Sequence, residues 1–316
     1  MLTENGMSYN KEEFSDEEYA GNGYSDNDRY TEAFAKYKLE TDCASVAKSV
    51  EIIRKSLGKP ERKELEKILS CLDYTSLKPT DSEETILKMT EKVNDFFSNR
   101  PDIQPFAAIC VYPCYAGTVS SALEIEGIKV ACVSGGFPSS QTPTEIKIAE
   151  TAMAVHEGAD EIDIVLPVGR FLSGEYEYIA DEIGELKAVC GEKSLKVILE
   201  SGIMPTLSDV KKAAIFAMYC GADFIKTSTG KESVGATPEA FFTMCRAIRE
   251  YADETGTKVG IKAAGGIAEV EDAYLYYSIA KQVLGEEWCN RSLLRIGASR
   301  LAGKLIATIT DSAAEF

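Results

Sequence analysis

From Glu61 onward the chain repeats one unit: a short run of β-branched and apolar residues, a loop of Gly, Pro, Ser and Thr, then a longer stretch with helical apolar spacing. Eight such runs are legible, at residues 68–74 (ILSCLDY), 106–112 (FAAICVY), 129–135 (KVACVSG), 161–167 (EIDIVLP), 195–201 (LKVILES), 223–228 (DFIKTS), 258–264 (KVGIKAA) and 293–299 (LLRIGAS). Strands that alternate with helices must pair in parallel, and eight of them close a (β/α)8 TIM barrel. An open doubly wound sheet also alternates β and α, but it normally carries a Gly-rich fingerprint after its first strand. No GxGxxG follows Leu72 or Cys110, so the spacing predicts the α/β barrel over 61–316, with its last helix starting near Arg300.

The first sixty residues do not share this repeat. Residues 1–30 are rich in Asp, Glu, Asn, Ser, Tyr and Gly with little aliphatic content, and read as an acidic, disordered tail. Over residues 31–60, Phe34, Tyr37, Leu39, Val46, Val50, Ile53 and Leu57 recur at roughly helical spacing, which predicts an N-terminal helical extension of one or two helices ended by Gly58 and Pro60. A capping role for that extension is favoured over partner binding, since it contains no docking motif.

In a barrel of this kind the reacting groups project from the carboxyl ends of the strands. Four charged residues interrupt the apolar runs: Asp73 in LDYTSLKP, Asp163 in EIDIVLP, Lys226 in FIKTSTGK and Lys262 in GIKAAGG. With helices on the outer face, such side chains should point inward. Two lysines on consecutive strands would then lie close together, where desolvation and mutual repulsion both favour a neutral, nucleophilic amine. Asp163 offers a carboxylate for moving protons through water. Alternatively, the four residues form a buried salt-bridge cluster that merely fills the lumen, although their placement beside a phosphate signature speaks against this.

That signature has three pieces. Residues 227–231 (TSTGK) offer hydroxyls, backbone amides and a cation, so Thr229, Gly230 and Lys231 are candidates. Gly265 and Gly266 precede a helical stretch from Val270, and Gly297 and Ser299 open the last helix. Glycines admit an anion to the backbone, helix N-termini supply unpaired N–H groups, and loops after strands seven and eight are a frequent phosphate site in barrels.

Other chemistries are disfavoured. His156 is the single histidine and falls at the end of a helix before strand four, so a zinc site built on several His ligands is not expected and the metal assignment is none. Nine cysteines without a CxxC pair read as reduced thiols, and Cys110 within strand two reads as a small buried hydrophobe. A net charge of −17 argues against a nucleic-acid partner. Without an apolar segment of membrane-spanning length or a basic leader with an apolar core, the expectation is a cytoplasmic protein with no membrane partner.

The motifs LDYTSLKP, AAICVYP, GADEIDIVLPVGRFLSGEYE, LKVILESG, GADFIKTSTGK, KAAGGI and RIGASRL together resemble the deoxyribose-phosphate aldolase family from about Ile68 to Leu305. That resemblance implies a class I aldolase that works without a metal or organic cofactor. The implied partners are a small sugar phosphate and aldehydes, and a homo-oligomer is the usual expectation for such a barrel. It further implies that Lys226 forms the Schiff base, Lys262 perturbs it and Asp163 relays protons. Lys196 and Asp73 are similar to the family's supporting polar positions. Thr229, Gly230, Lys231, Gly265, Gly266, Gly297 and Ser299 correspond to its phosphate loops. The chain departs from the family pattern at Ala263, where KPAGG is common, at Ala268, where a basic residue is common, and at Arg300, where a serine or threonine is common.

Overall fold

The computed structural model describes residues 28–312 and 316. Eight parallel strands, β1 (Leu72–Thr75), β2 (Ala108–Val111), β3 (Lys129–Ser134), β4 (Glu161–Val165), β5 (Ser194–Ile198), β6 (Phe224–Lys226), β7 (Gly260–Ala264) and β8 (Leu294–Ala298), close in sequence order, with β8 pairing back onto β1. Among the described residues three helices come first: α1 (Asp28–Ala35), α2 (Cys43–Ser56) and α3 (Arg62–Ser70). The crossovers follow as α4 (Glu83–Asn99), α5 (Ala116–Ala122), α6 (Thr144–His156), α7 (Val168–Leu172), α8 (Tyr176–Cys190), α9 (Leu207–Tyr219), α10 (Pro238–Thr255) and α11 (Val270–Leu284), and α12 (Leu301–Thr310) is the last helix among the described residues.

The strands read as nearly continuous apolar runs because both faces are buried, one against helices and one in the lumen. The main core lies between sheet and helices, where Ile162, Ile164, Val197, Ile225, Ile261 and Ile296 meet the helix stripes. A smaller apolar cluster of Leu77, Ala108, Cys110, Ala131 and Val133 faces inward along β2 and β3. Much of the remaining lumen is ionic, with the Phe224 ring centre lying 5.8 Å from Lys196 Nζ. Local signals set the helix starts: Ser82 caps α4 by accepting from Thr85 N–H, and Thr237 with Pro238 opens α10.

Two boundaries differ from the expectation. The first strand starts at Leu72, not Ile68, because Ile68 and Leu69 are the last apolar residues of the amphipathic helix α3, in phase with Leu65. An apolar run at a helix–strand junction has no periodicity that separates the two. Helix α1 begins at Asp28, inside the stretch read as a tail; Tyr30 is buried and meets Phe216 edge-on at 5.0 Å. The rest of that stretch lies outside the described residues. Helix α2 packs Val46, Val50 and Ile53 onto α10 and α11, each such burial stabilising by about 1.5–3 kcal/mol. Residues of the helical extension therefore belong to the same core as the barrel.

Candidate active site

Strand alternation aims Asp73, Asp163, Lys196, Lys226 and Lys262 into the lumen, and all are almost fully buried. Lys226 on β6 and Lys262 on β7 are register partners, so their side chains run side by side. Both donate to the same oxygen, Asp163 Oδ2, at 2.9 and 2.8 Å, while Lys196 on β5 donates to Asp163 Oδ1 at 2.8 Å. Lys262 Nζ also lies 2.5 Å from Asp73 Oδ2, an ion pair that lacks hydrogen-bond alignment.

Two lumen charges were passed over in the sequence reading. Arg295 on β8 donates to Asp73 Oδ1 at 2.8 Å and forks onto Glu161 at 2.9 and 2.6 Å. Glu161 in turn lies 2.7 Å from Lys196 Nζ. The signal was present: Glu161 stands two residues before Asp163 on the same strand face, and Arg295 interrupts LLRIGAS as Lys262 interrupts GIKAAGG.

The electrostatics separate the lysines. Burial lowers the Lys226 pKa; Asp163 pulls it back up, Lys262 opposes that pull, and the net position is below the ordinary value. Burial acts on Lys262 in the same way, but Asp163 and Asp73 outweigh it and hold the Lys262 ammonium well above its ordinary range. Asp163 and Glu161 outweigh burial at Lys196, which is also raised. Burial alone would raise Asp73, yet Lys262, Arg295 and Lys196 hold it at about 2. Burial would raise Asp163 too, but Lys196, Lys226 and Lys262 hold it well below the usual carboxylate range. The result is one lysine biased towards the free amine among two biased towards ammonium.

Above these groups the strand ends form a cavity of about 250 Å³. Lys226 and Lys262 line its floor, and Thr229, Gly230, Lys231, Gly265, Gly266, Gly297 and Ser299 line its walls and mouth, so the structure brings the expected phosphate positions to one place. Lys78, Ala268 and Arg300 join them. Close glycine contact builds the wall: Gly265 has φ +94°, and a Cβ on Gly235 would stand 2.4 Å from the Gly265 carbonyl oxygen. Not every expected donor is free. The Thr229 N–H donates to Glu200 at 3.1 Å and its hydroxyl donates to the same carboxylate at 2.5 Å. The Lys231 ammonium donates to the Leu77 carbonyl, tying the loop after β6 to the loop after β1. Burial raises the Glu200 carboxyl pKa, although the hydrogen bonds from Thr229 oppose the shift.

A larger groove of about 1320 Å³ lies beside the mouth, between Pro138, Arg170, Tyr178 and Glu232. It contains neither lysine of the floor. Cys110 is fully buried in the lumen, and burial pushes its thiol up, in keeping with an inert small side chain. His156 ends α6 at an exposed position away from these groups.

A family model described as DeoC/LacD family aldolase matches residues 70–284. A Bos taurus protein named deoxyribose-phosphate aldolase is 38% identical over 281 residues, 84% of this chain and 87% of its own length. The Homo sapiens protein of the same name is 40% identical over 247 residues, 74% and 77% of the two chains. A solved structure described as a tetrameric deoxyribose phosphate aldolase from Aeropyrum pernix superposes with a TM-score of 0.62 at 26% identity, covering 82% of this chain and 96% of that one.

Proposed function

The chain belongs to the DeoC/LacD aldolase family, and from that premise we propose that it reversibly cleaves 2-deoxy-D-ribose 5-phosphate into acetaldehyde and D-glyceraldehyde 3-phosphate through a Schiff base on Lys226. The observation that carries this reading is the disposition of the lysines. Lys226 is biased towards the free amine, beside a charged Lys262, on the floor of a cavity whose mouth is lined by glycine loops and cations.

The neutral amine of Lys226 attacks C1 of the open-chain sugar, and uptake of a proton with loss of water from the carbinolamine gives an iminium. The C3 hydroxyl proton passes through water to the Asp163 carboxylate, the new C3 carbonyl forms, and the electrons of the C2–C3 bond move into the iminium. Glyceraldehyde 3-phosphate departs and an enamine remains on Lys226. Protonation at C2 followed by hydrolysis releases acetaldehyde and restores the amine. Lys262, held as an ammonium, orients Asp163 and opposes positive charge on Lys226; Lys196 and Asp73 fix the positions of that pair. The phosphate is taken at the mouth by the N–H groups of the Gly230, Gly265–Gly266 and Gly297–Ser299 loops together with Lys231 and Arg300. The family relatives that share the name deoxyribose-phosphate aldolase support this choice of substrate. An Aeropyrum pernix relative described as tetrameric supports assembly into a homo-oligomer.

Borohydride reduction with acetaldehyde or deoxyribose 5-phosphate, followed by peptide mass mapping, tests the mechanism. The expected product is a reduced adduct on Lys226, with turnover lost by roughly 10³-fold or more in Lys226→Ala. Turnover without a labelled lysine would sink the covalent route. Cleavage of a ketose phosphate in place of deoxyribose 5-phosphate would reassign the substrate.

A further inference from the structure

We propose that Arg295 is a positioning residue that sets the lumen charge balance and thereby leaves Lys226 as the amine that gives up its proton. The inference rests on the reading of Lys226 as the Schiff-base lysine. The lumen network holds three carboxylates, Asp73, Glu161 and Asp163, and four basic groups, Lys196, Lys226, Lys262 and Arg295, none more than 4% exposed. Fully ionised, it carries one positive charge in excess, in a place where uncompensated charge is costly.

The guanidinium cannot relieve that excess, since arginine does not deprotonate in proteins. Arg295 occupies Asp73 Oδ1 and both Glu161 oxygens. The surplus must therefore leave from a lysine. Lys262 touches two carboxylates, Asp73 and Asp163, and Lys196 touches two, Glu161 and Asp163. Lys226 touches Asp163 alone, and shares it with both of the others. The least compensated lysine is the one that sheds its proton.

The lumen presents these groups to Lys226 strand by strand: Asp73 from β1, Cys110 from β2, Glu161 and Asp163 from β4, Lys196 from β5, Lys262 from β7 and Arg295 from β8, while β3 contributes the apolar Ala131 and Val133. Glu200 after β5 and the cavity cations Lys78, Lys231 and Arg300 complete the surroundings. Arg295 is in register with Lys262, and Lys262 with Lys226, which places Arg295 two strand spacings away, about 10 Å between backbones. A unit charge at that distance inside a protein moves a pKa by roughly one pH unit.

With Arg295→Gln the fixed charge disappears and three carboxylates face three lysines, so all three lysines can stay protonated. With Glu161→Gln the excess doubles instead. The experiment follows the pH dependence of kcat/KM and of borohydride trapping of acetaldehyde on Lys226, in the full chain and the variants Arg295→Gln, Arg295→Lys and Glu161→Gln. The neutral amine appears as pH rises through the Lys226 pKa, so the acid limb should move up by roughly one pH unit in Arg295→Gln, return in Arg295→Lys, and move down in Glu161→Gln. Opposite shifts from the two ends of one ion pair are not what packing damage produces. Shifts in the same direction, or an activity loss with the limb unmoved, would overturn the proposal. If Arg295→Gln does not fold, Glu161→Gln alone decides by the direction of its shift. Failure of the unaltered chain to trap on Lys226 would instead strike the Schiff-base reading itself.

Discussion

Asp163 is the residue on which the lumen converges, since three lysine amines rest on its two oxygens. Asp163→Asn leaves Lys196, Lys226 and Lys262 facing a neutral amide, and breaking a buried pair from one side costs about 3–5 kcal/mol. Thermal unfolding of the variant should show that loss even without substrate; an unchanged midpoint would mean that Glu161 and Asp73 suffice for Lys196 and Lys262 and that Lys226 needs no counter-charge. Asp73 carries a pH signature. Its folded pKa of about 2 lies below the ordinary 3.8, so its stabilisation is present above pH ~4 and is lost as pH falls from there towards 2, amounting to about 2 kcal/mol. Acid titration of stability should therefore be shallower in Asp73→Asn than in the parent, and parallel curves would contradict the shift. Asp73, Asp163, Lys226 and Lys262 were legible because a charge inside an apolar run has only the lumen to enter. The capture of Thr229 by Glu200 was not: Glu200 adopts φ +51° just past β5, and it reaches Thr229 only once β5 and β6 are neighbours.

At the scale of elements, the cradle depends on two loops that nearly interpenetrate. The loop after β6 bonds to the loop after β7 through Ala236 N–H and the Gly265 carbonyl at 3.0 Å, and Tyr276 on α11 holds the Ala236 carbonyl at 2.9 Å. Gly235→Ala places a methyl group where the Gly265 carbonyl stands, so the loops must part. Steady-state kinetics should show KM for the phosphorylated sugar rising several-fold while kcat changes less; an equal fall in kcat with KM constant would place these loops in the chemical step. From sequence the glycines marked a place for an anion, and the strand runs marked the order of the barrel. The contact between loops was invisible, because it depends on the backbone path of each loop, which the order of the strands does not set. The first strand shows the converse limit: Ile68 and Leu69 continue an apolar run into β1, yet belong to α3 by phase with Leu65.

At the scale of the whole molecule, the proposed substrate would bring a phosphate dianion to a chain of net charge −17. Its field repels that ligand at long range, and the mouth cations Lys78, Lys231 and Arg300 act only within about 8–10 Å in physiological salt. Raising ionic strength with chloride from a low starting value should therefore increase kcat/KM at first, whereas sulfate at equal ionic strength should compete with substrate. Identical responses to the two salts would argue against an anion site at the mouth. Barrel closure joins this site to the rest of the fold, because β8 and β1 meet beside β6 and β7 and bring residues from opposite ends of the chain to one rim.

The three-to-four ratio of lumen carboxylates to basic groups also bears on what happens after the nucleophile has reacted. On the proposed mechanism the iminium on Lys226 is a cation for as long as its N–H proton stays in place beside Asp163, and it then reinstates the surplus that the free amine had removed. Breaking the C2–C3 bond is the step that discharges it, because the departing bond's electrons neutralise the nitrogen as the enamine forms. A lumen in surplus of positive charge thus favours the neutral enamine over the protonated iminium, provided Asp163 keeps the proton on that nitrogen until the bond breaks, and its electrostatic imbalance adds to the pull on the electron pair.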